Sequence, residues 1–467
     1  MRRAFKTFWE SQTYTRFFYH YLQNRPSFQA AIYWVAGFSA GLVVVWYVGL
    51  FHALESEAKI LCEWHPLLFF IVAPAAGATS LLLLKNMPQA SGSGIPQTMA
   101  AVELATRNSP AVYDFIGVRP TLYKILSSLL FVLGGGALGP EGPAVQIASA
   151  IFLRLGRPFK RIWADMTIDS LVIAGGAAGI AAAFNTPLGG IVFALEELAQ
   201  QHFKRVKTFL IASVIVAGMV AQWVTGPYLY FGYPAFRPLA PNTYVWMLAL
   251  GVVGGAVGAA QGQFLFWVSV RLEQANFIKR MCLAAAACFG AAVLGYAYSP
   301  HLLGSGKDAI VRLLFEDHYE IPWFFMFFRI VAPMACFASG AAGGMLVPAL
   351  TLGAMLGAKM AATFGLVNGN LLIFLGMIAL LTGLTHAPFC AFVTVLEMTD
   401  RHAAIFPMML VALVASAASR LVASESYYWK RRDRFIQKWE LPSPPARPTL
   451  SPKEQEREQN PPPLESR

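Results

Sequence analysis

The chain has 467 residues, of which 56% are hydrophobic and only 13% charged, with a formal net charge of +11. Soluble domains carry about 25% charged residues, so this composition excludes a soluble globular enzyme and indicates a multi-pass membrane protein. The charge also excludes a nucleic-acid-binding face. It gathers before the first apolar stretch (Arg2, Arg3, Lys6, Arg16, Arg25) and after the last (Lys430, Arg431, Arg432, Arg434, Lys438), and such flanks place both termini on the cytoplasmic side of the cell (inner) membrane.

In chain order, residues 1–28 interleave aromatics with basic residues and are expected to lie as an amphipathic segment on the inner membrane surface. The first apolar run starts near Gln29 without a cleavage site, so no secretory leader is expected. Apolar stretches at 29–53, 66–84, 208–226 and 243–270 are long enough to cross a hydrocarbon core of about 30 Å. Those at 143–153, 170–183, 187–195, 346–362 and 388–396 are short or interrupted by Gly and Pro, the pattern of discontinuous helices that end inside a membrane. From Leu441 to Arg467 the chain is rich in Pro and charge and is expected to be a disordered cytoplasmic tail, too short for an appended regulatory domain.

An internal repeat is visible. Asn185-Thr186-Pro187 leads to Glu196, nine residues after the proline, and His386-Ala387-Pro388 leads likewise to Glu397, an offset of 201 residues. Pro143 and Pro348, each after a glycine-rich turn, are offset by 205. These intervals divide the chain into a first membrane repeat, 29–227, and a second, 242–428, with a binding site expected at their interface near the midplane.

Three glycine-then-proline elements carry the chemistry: Ser91-Gly92-Ser93-Gly94-Ile95-Pro96, Gly139-Pro140-Glu141-Gly142-Pro143 and Gly343-Gly344-Met345-Leu346-Val347-Pro348. Glycines bare the backbone amides to a ligand, and a proline suits the first position of a helix, where its missing N–H costs nothing. Three convergent helix N-termini bind an anion without a full positive charge that would hold it too tightly for release. Glu141 is a charge set in apolar surroundings, costing about 3 kcal/mol or more, and such a group persists with a function or a partner. As an anion at the positive end of a helix, it can occupy the anion's own place.

The three elements resemble the GSGIP, GxEGP and GxFxP signatures of the CLC family of chloride channels and proton-coupled antiporters, in order and spacing, across roughly residues 30–430. Gly179 to Pro187 and Leu396-Glu397-Met398-Thr399-Asp400 match as well. The resemblance implies an all-α membrane protein, a CLC-like inverted-repeat bundle of tilted and broken transmembrane helices, assembled as a homodimer with a separate pathway in each subunit. It implies that Ser93, Tyr428 and the amides of Met345 and Leu346 bind chloride, with Tyr427 a rival to Tyr428. Glu141 would be the gating glutamate and Glu197 the one that relays protons to the cytoplasmic side, with Lys124 buried near the pathway. Gly92, Gly94, Pro96, Gly142 and Pro143 would support the filter. The implied activity is exchange of chloride for protons, with Glu141 competing with the anion for the central site; the alternative is a passive voltage- or pH-gated chloride channel on the same fold. No enzyme activity, cofactor or metal site is expected. Pro140 and Leu346 stand where many relatives have Arg and Phe, and Met99 where some carry an acid.

Other signals are weaker. Gly304-Ser305-Gly306-Lys307 lacks the spacing of a phosphate loop. The five cysteines have no CxxC spacing and are expected to be buried apolar groups. Neither His65 nor His386 has a motif that would make it a base for Ser93. Glu397 is expected to brace the fold, and Arg329 to pair with a carboxylate or a helix end.

Overall fold

The computed structural model describes residues 26–163, 166–199, 208–226, 229–234, 243–316, 322–366 and 369–439. The tail 441–467 and all but the last three residues of the segment 1–28 lie outside the described residues.

The first half contains helices α1 (Pro26–Trp64), α2 (Pro66–Leu84), α3 (Ile95–Thr106), α4 (Val112–Ile116), α5 (Val118–Leu133), α6 (Glu141–Gly156), α7 (Ile168–Phe184), α8 (Pro187–Phe193) and α9 (Thr208–Thr225). The second contains α10 (Thr243–Glu273), α11 (Phe277–Ala297), α12 (Lys307–Phe315), α13 (Trp323–Ser339), α14 (Leu346–Thr363), α15 (Gly369–Thr385), α16 (Pro388–Thr399), α17 (Ile405–Val422) and α18 (Tyr427–Trp439). Among the described residues, β pairing is confined to two isolated bridges, Gly92 with Ala342 and Gly139 with Gly344. Among the described residues, eight helical stretches are long and apolar enough to cross a membrane, including Leu346–Thr363, which its sequence pattern places with the short segments. Pro26 to Phe28 open α1 rather than lying in a surface segment.

Helices α7 and α15 form the centre. Nearly every residue of both is buried, and both are apolar on all faces, as a helix surrounded by protein must be. Around α7 pack α1, α6, α8 and α9; around α15 pack α10, α14 and α17. Small residues permit the approach. A Cβ at Gly357 would strike the backbone of Leu372, so α14 and α15 touch backbone to backbone.

The two halves are joined by reciprocal contacts between equivalent residues. Gly139 and Gly344 exchange two backbone hydrogen bonds, 2.9 and 2.6 Å. Glu196, just beyond α8, accepts from Phe389 N–H (3.3 Å) and Cys390 N–H (2.6 Å) at the start of α16. Glu397, in the last turn of α16, accepts from Leu188 N–H (3.0 Å) and Gly189 N–H (2.6 Å) at the start of α8. Each helix thus has its open amides closed by the other's carboxylate. That arrangement requires α8 and α16 to run antiparallel about a two-fold axis, the geometry of an inverted repeat. Glu397 is a brace, and Glu196 is its equal.

Candidate functional site

The three glycine elements converge. Gly92 N–H donates to Ala341 C=O (3.2 Å), and Gly343 N–H donates to Gly92 C=O (3.3 Å). Gly94, at φ +113°, sits so close to Gly142 that a Cβ would meet the Gly142 carbonyl, and a Cβ on Gly142 would lie 2.6 Å from Ser93 Oγ. Turn 92–94, the start of α6 and the start of α14 therefore form one junction of bare backbone.

Glu141 fills its middle. The side chain is fully buried, and its Oε1 accepts from Leu346 N–H at 2.6 Å and Val347 N–H at 3.2 Å, the first open amides of α14. The amides used are those of Leu346 and Val347, with Met345 as the preceding cap residue. Glu141 Oε2 has no hydrogen-bond partner. Helix α6 starts at Glu141, so Pro143 is its third residue and not its first; Pro348 is likewise the third of α14. Both still fall within the first turn, where N–H groups have no intrahelical acceptor. Pro96 is the second residue of α3.

Ser93 lies in the first of these turns, and Tyr428 lines a cavity with Leu346. Both are buried, and neither hydroxyl makes a hydrogen bond of good geometry, although the two lie within interacting range of each other. Buried hydroxyls without a hydrogen bond of good geometry are uncommon in folded proteins. Lys124 is fully buried and donates from Nζ to Gly92 C=O at 2.7 Å, so it holds the serine turn through a carbonyl. The sequence motifs do not point to Gln97, whose Oε1 accepts from Gly94 N–H (2.9 Å) while its Nε2 donates to Ser91 C=O (2.5 Å). A glutamine three residues after a cap was the available signal.

Glu197 does not take part in the backbone junction. It sits in a π-turn, Ala194–Leu198, that follows α8; such insertions re-aim neighbouring side chains and recur at functional sites. Glu196 thereby reaches the amides of α16, while Glu197 lines a cavity shared with Leu346 and Tyr428 and walled by Phe184, Phe193 and Thr385. Both carboxyl oxygens of Glu197 are buried without a hydrogen-bond partner in the protein. Tyr427 instead lines a separate mouth that also contains Ser93, Gly92 and the cations Lys85, Arg280, Arg431 and Lys438. Cations at a mouth concentrate anions there. Among the described residues, no cluster of His, Cys, Asp and Glu has the geometry of a metal site.

A family profile described as "Voltage gated chloride channel" matches residues 76–420. The chain belongs to that family. The "H(+)/Cl(-) exchange transporter ClcA" of Vibrio parahaemolyticus serotype O3:K6 is 29% identical over 370 residues, covering 74% of this chain and 75% of the relative. A solved structure titled as a slow cyanobacterial Cl-/H+ antiporter superposes with a TM-score of 0.78 at 22% identity, covering 88% of this chain and 98% of its own. A CLC-type fluoride/proton antiporter superposes at 0.71, also at 22% identity, over 85% and 96% of the two chains. At that identity, the structural likeness establishes the voltage-gated chloride channel fold alone.

Proposed function

We propose that this chain is a secondary active transporter that exchanges chloride for protons across the cell membrane, with no enzymatic step, cofactor or metal. The observation that carries the reading is the seat of Glu141. A buried carboxylate rests on the first amides of α14, where an anion would bind. The nearby cavity leads to a second carboxyl group, Glu197, that has no hydrogen-bond partner. Deprotonated, Glu141 fills the anion position; protonated, it leaves the amides and chloride takes them. Ser93 and Tyr428 supply two more donors. Protons reach Glu141 from the cytoplasm by way of Glu197, while chloride leaves past Ser93 toward the basic mouth. One carboxyl group thus serves two ions of opposite charge. The curated relatives' name, a proton/chloride exchange transporter, supports the same reading. Ser93 makes no hydrogen bond to a base, which argues against a serine nucleophile.

We place both termini in the cytoplasm from the basic residues that flank the first and last apolar stretches, and the basic mouth lies beside the basic helix α18. The working unit is a homodimer with one pathway per subunit, embedded in lipid. The test is a chloride gradient imposed on liposomes containing the purified protein. Protons should move uphill against their own gradient. Fast chloride flux without proton movement would refute exchange and leave the passive channel.

A further inference from the structure

Gly304-Ser305-Gly306 repeats the turn Gly92-Ser93-Gly94 at an interval of 212 residues. The backbones agree: φ is +77° and +113° at Gly92 and Gly94, and +71° and +94° at Gly304 and Gly306. Each turn opens a helix, α3 in one case and α12 in the other. The serines differ in what they hold. The Ser93 hydroxyl makes no hydrogen bond of good geometry in the protein. Ser305 donates its N–H (3.0 Å) and its hydroxyl (3.1 Å) to Oε1 of Glu55, a buried carboxylate in α1. Lys59 Nζ (3.3 Å) and His52 Nδ1 (3.2 Å) hold the same carboxylate. Four donors from the turn and from α1 therefore enclose one anionic group. Gly304 is moulded to it, since a Cβ there would lie 2.5 Å from Glu55 Cγ.

The register between the halves identifies the counterpart of Glu55. Gly37 and Gly41 of α1 lie against the carbonyls of Ser213 and Ala217 in α9. Gly251 and Gly255 of α10 lie against those of Val411 and Ala415 in α17. These contacts repeat with intervals of 214 and 198 residues in the two helices. Both α1 and α10 run on unbroken, so the same interval of 214 carries Glu55 to Ser269. Ser269 is buried and lines the mouth beside Ser93. At the position from which Glu55 enters one serine turn, the other half has a side chain too short and too neutral to enter the other.

We propose that the 304–306 turn is a second cradle for a small monovalent anion, filled by the carboxylate of Glu55, and that positions 55 and 269 decide which of the two symmetric turns admits a free halide. Shortening Glu55 leaves the Ser305 amide and hydroxyl, His52 and Lys59 facing the volume of a missing carboxylate. Lys59 keeps Asp308 as a partner at 2.6 Å, but the Ser305 donors lose their acceptor, and a halide from solution restores it. In wild type, the tethered carboxylate keeps this turn out of ion traffic and leaves one anion route per chain.

The inference rests on the proposed function only in taking turn 92–94 as the transported anion's site, and the experiment separates the two. Wild type, Glu55→Ser and Glu55→Gln are crystallised in bromide, and bromine is located by anomalous scattering. Wild type should show bromide beside Ser93 and none at Ser305. Glu55→Ser should add a peak at Ser305, and Glu55→Gln, which keeps the volume, should not. A folded Glu55→Ser protein without bromide at Ser305 overturns the second cradle, whereas wild type without bromide at Ser93 contradicts the central site instead. The converse variant, Ser269→Glu, carries the test if Glu55→Ser does not fold. Its carboxylate should enter the Ser93 turn from the mouth and lower chloride efflux at least about tenfold relative to Ser269→Gln. Efflux at the Ser269→Gln rate overturns the proposal.

Discussion

Gly139→Ala tests the seat of Glu141 without touching either the carboxylate or the amides that hold it. The three atoms nearest to a Cβ at position 139 all belong to the Glu141 carboxyl group, with Cδ and Oε1 at 2.8 Å and Oε2 closer still. None of these three is a backbone atom, and Gly139 is not in the left-handed region, so the first group that alanine displaces is the seated carboxylate. Unseating breaks two hydrogen bonds to a charged group, one short at 2.6 Å and one long at 3.2 Å. At about 1.5–3 kcal/mol each, the loss is roughly 3–6 kcal/mol. With about 1.4 kcal/mol per factor of ten, the seated fraction falls by about two to four orders of magnitude. The assay is chloride efflux from liposomes across an alkaline-to-acid series. Wild type should slow as Glu141 deprotonates and takes its seat. Gly139→Ala should stay fast at alkaline pH, and Gly139→Ala combined with Glu141→Gln should match Glu141→Gln alone. A wild-type pH profile in Gly139→Ala would refute the steric argument and with it the assignment of this seat as the closed gate.

Glu197→Gln keeps the size of the side chain but cannot accept a proton; it should abolish proton coupling while chloride still flows under control of Glu141, and proton transport at the wild-type ratio in paired flux assays would remove Glu197 from the route. Glu397→Ala should leave ion selectivity intact but destabilise the protein by roughly 1–3 kcal/mol, because two amides at the start of α8 lose a charged acceptor. Glu196→Ala should cost a similar amount at α16, and thermal unfolding in detergent checks both, with an unchanged melting temperature counting against the reciprocal caps.

What was legible in the sequence follows from what is local. The broken helices could be read because Pro187 and Pro388 stand at the first positions of α8 and α16, and a proline there announces a helix start by itself. Glu141 stood out because a carboxylate among glycines in an apolar stretch is too costly to persist without a function or a partner. The partners of these groups were not legible, since they arrive from about 200 residues away. The doubled interval from proline to glutamate was visible, yet nothing in one copy says that Glu196 closes the other copy's helix. The π-turn that separates Glu196 from Glu197 adds no residue type of its own, so periodicity cannot reveal it. Helix starts were displaced by two residues at Pro143 and Pro348 because any position in a first turn tolerates the missing N–H.

The internal two-fold axis passes between Gly139 and Gly344, and an interval of 205 residues sets Glu141 opposite Leu346. Two acids at these positions would face each other at close range, and one would have to stay protonated to relieve the repulsion. With leucine on one side, the proposed gate is one titrating group rather than two, and exchange through it would have a polarity: acid on one face of the bilayer would not be equivalent to acid on the other. A preparation with molecules inserted in both directions averages this rectification away. Only vesicles with a uniform orientation, or with one population silenced from outside, report the sidedness built into each chain.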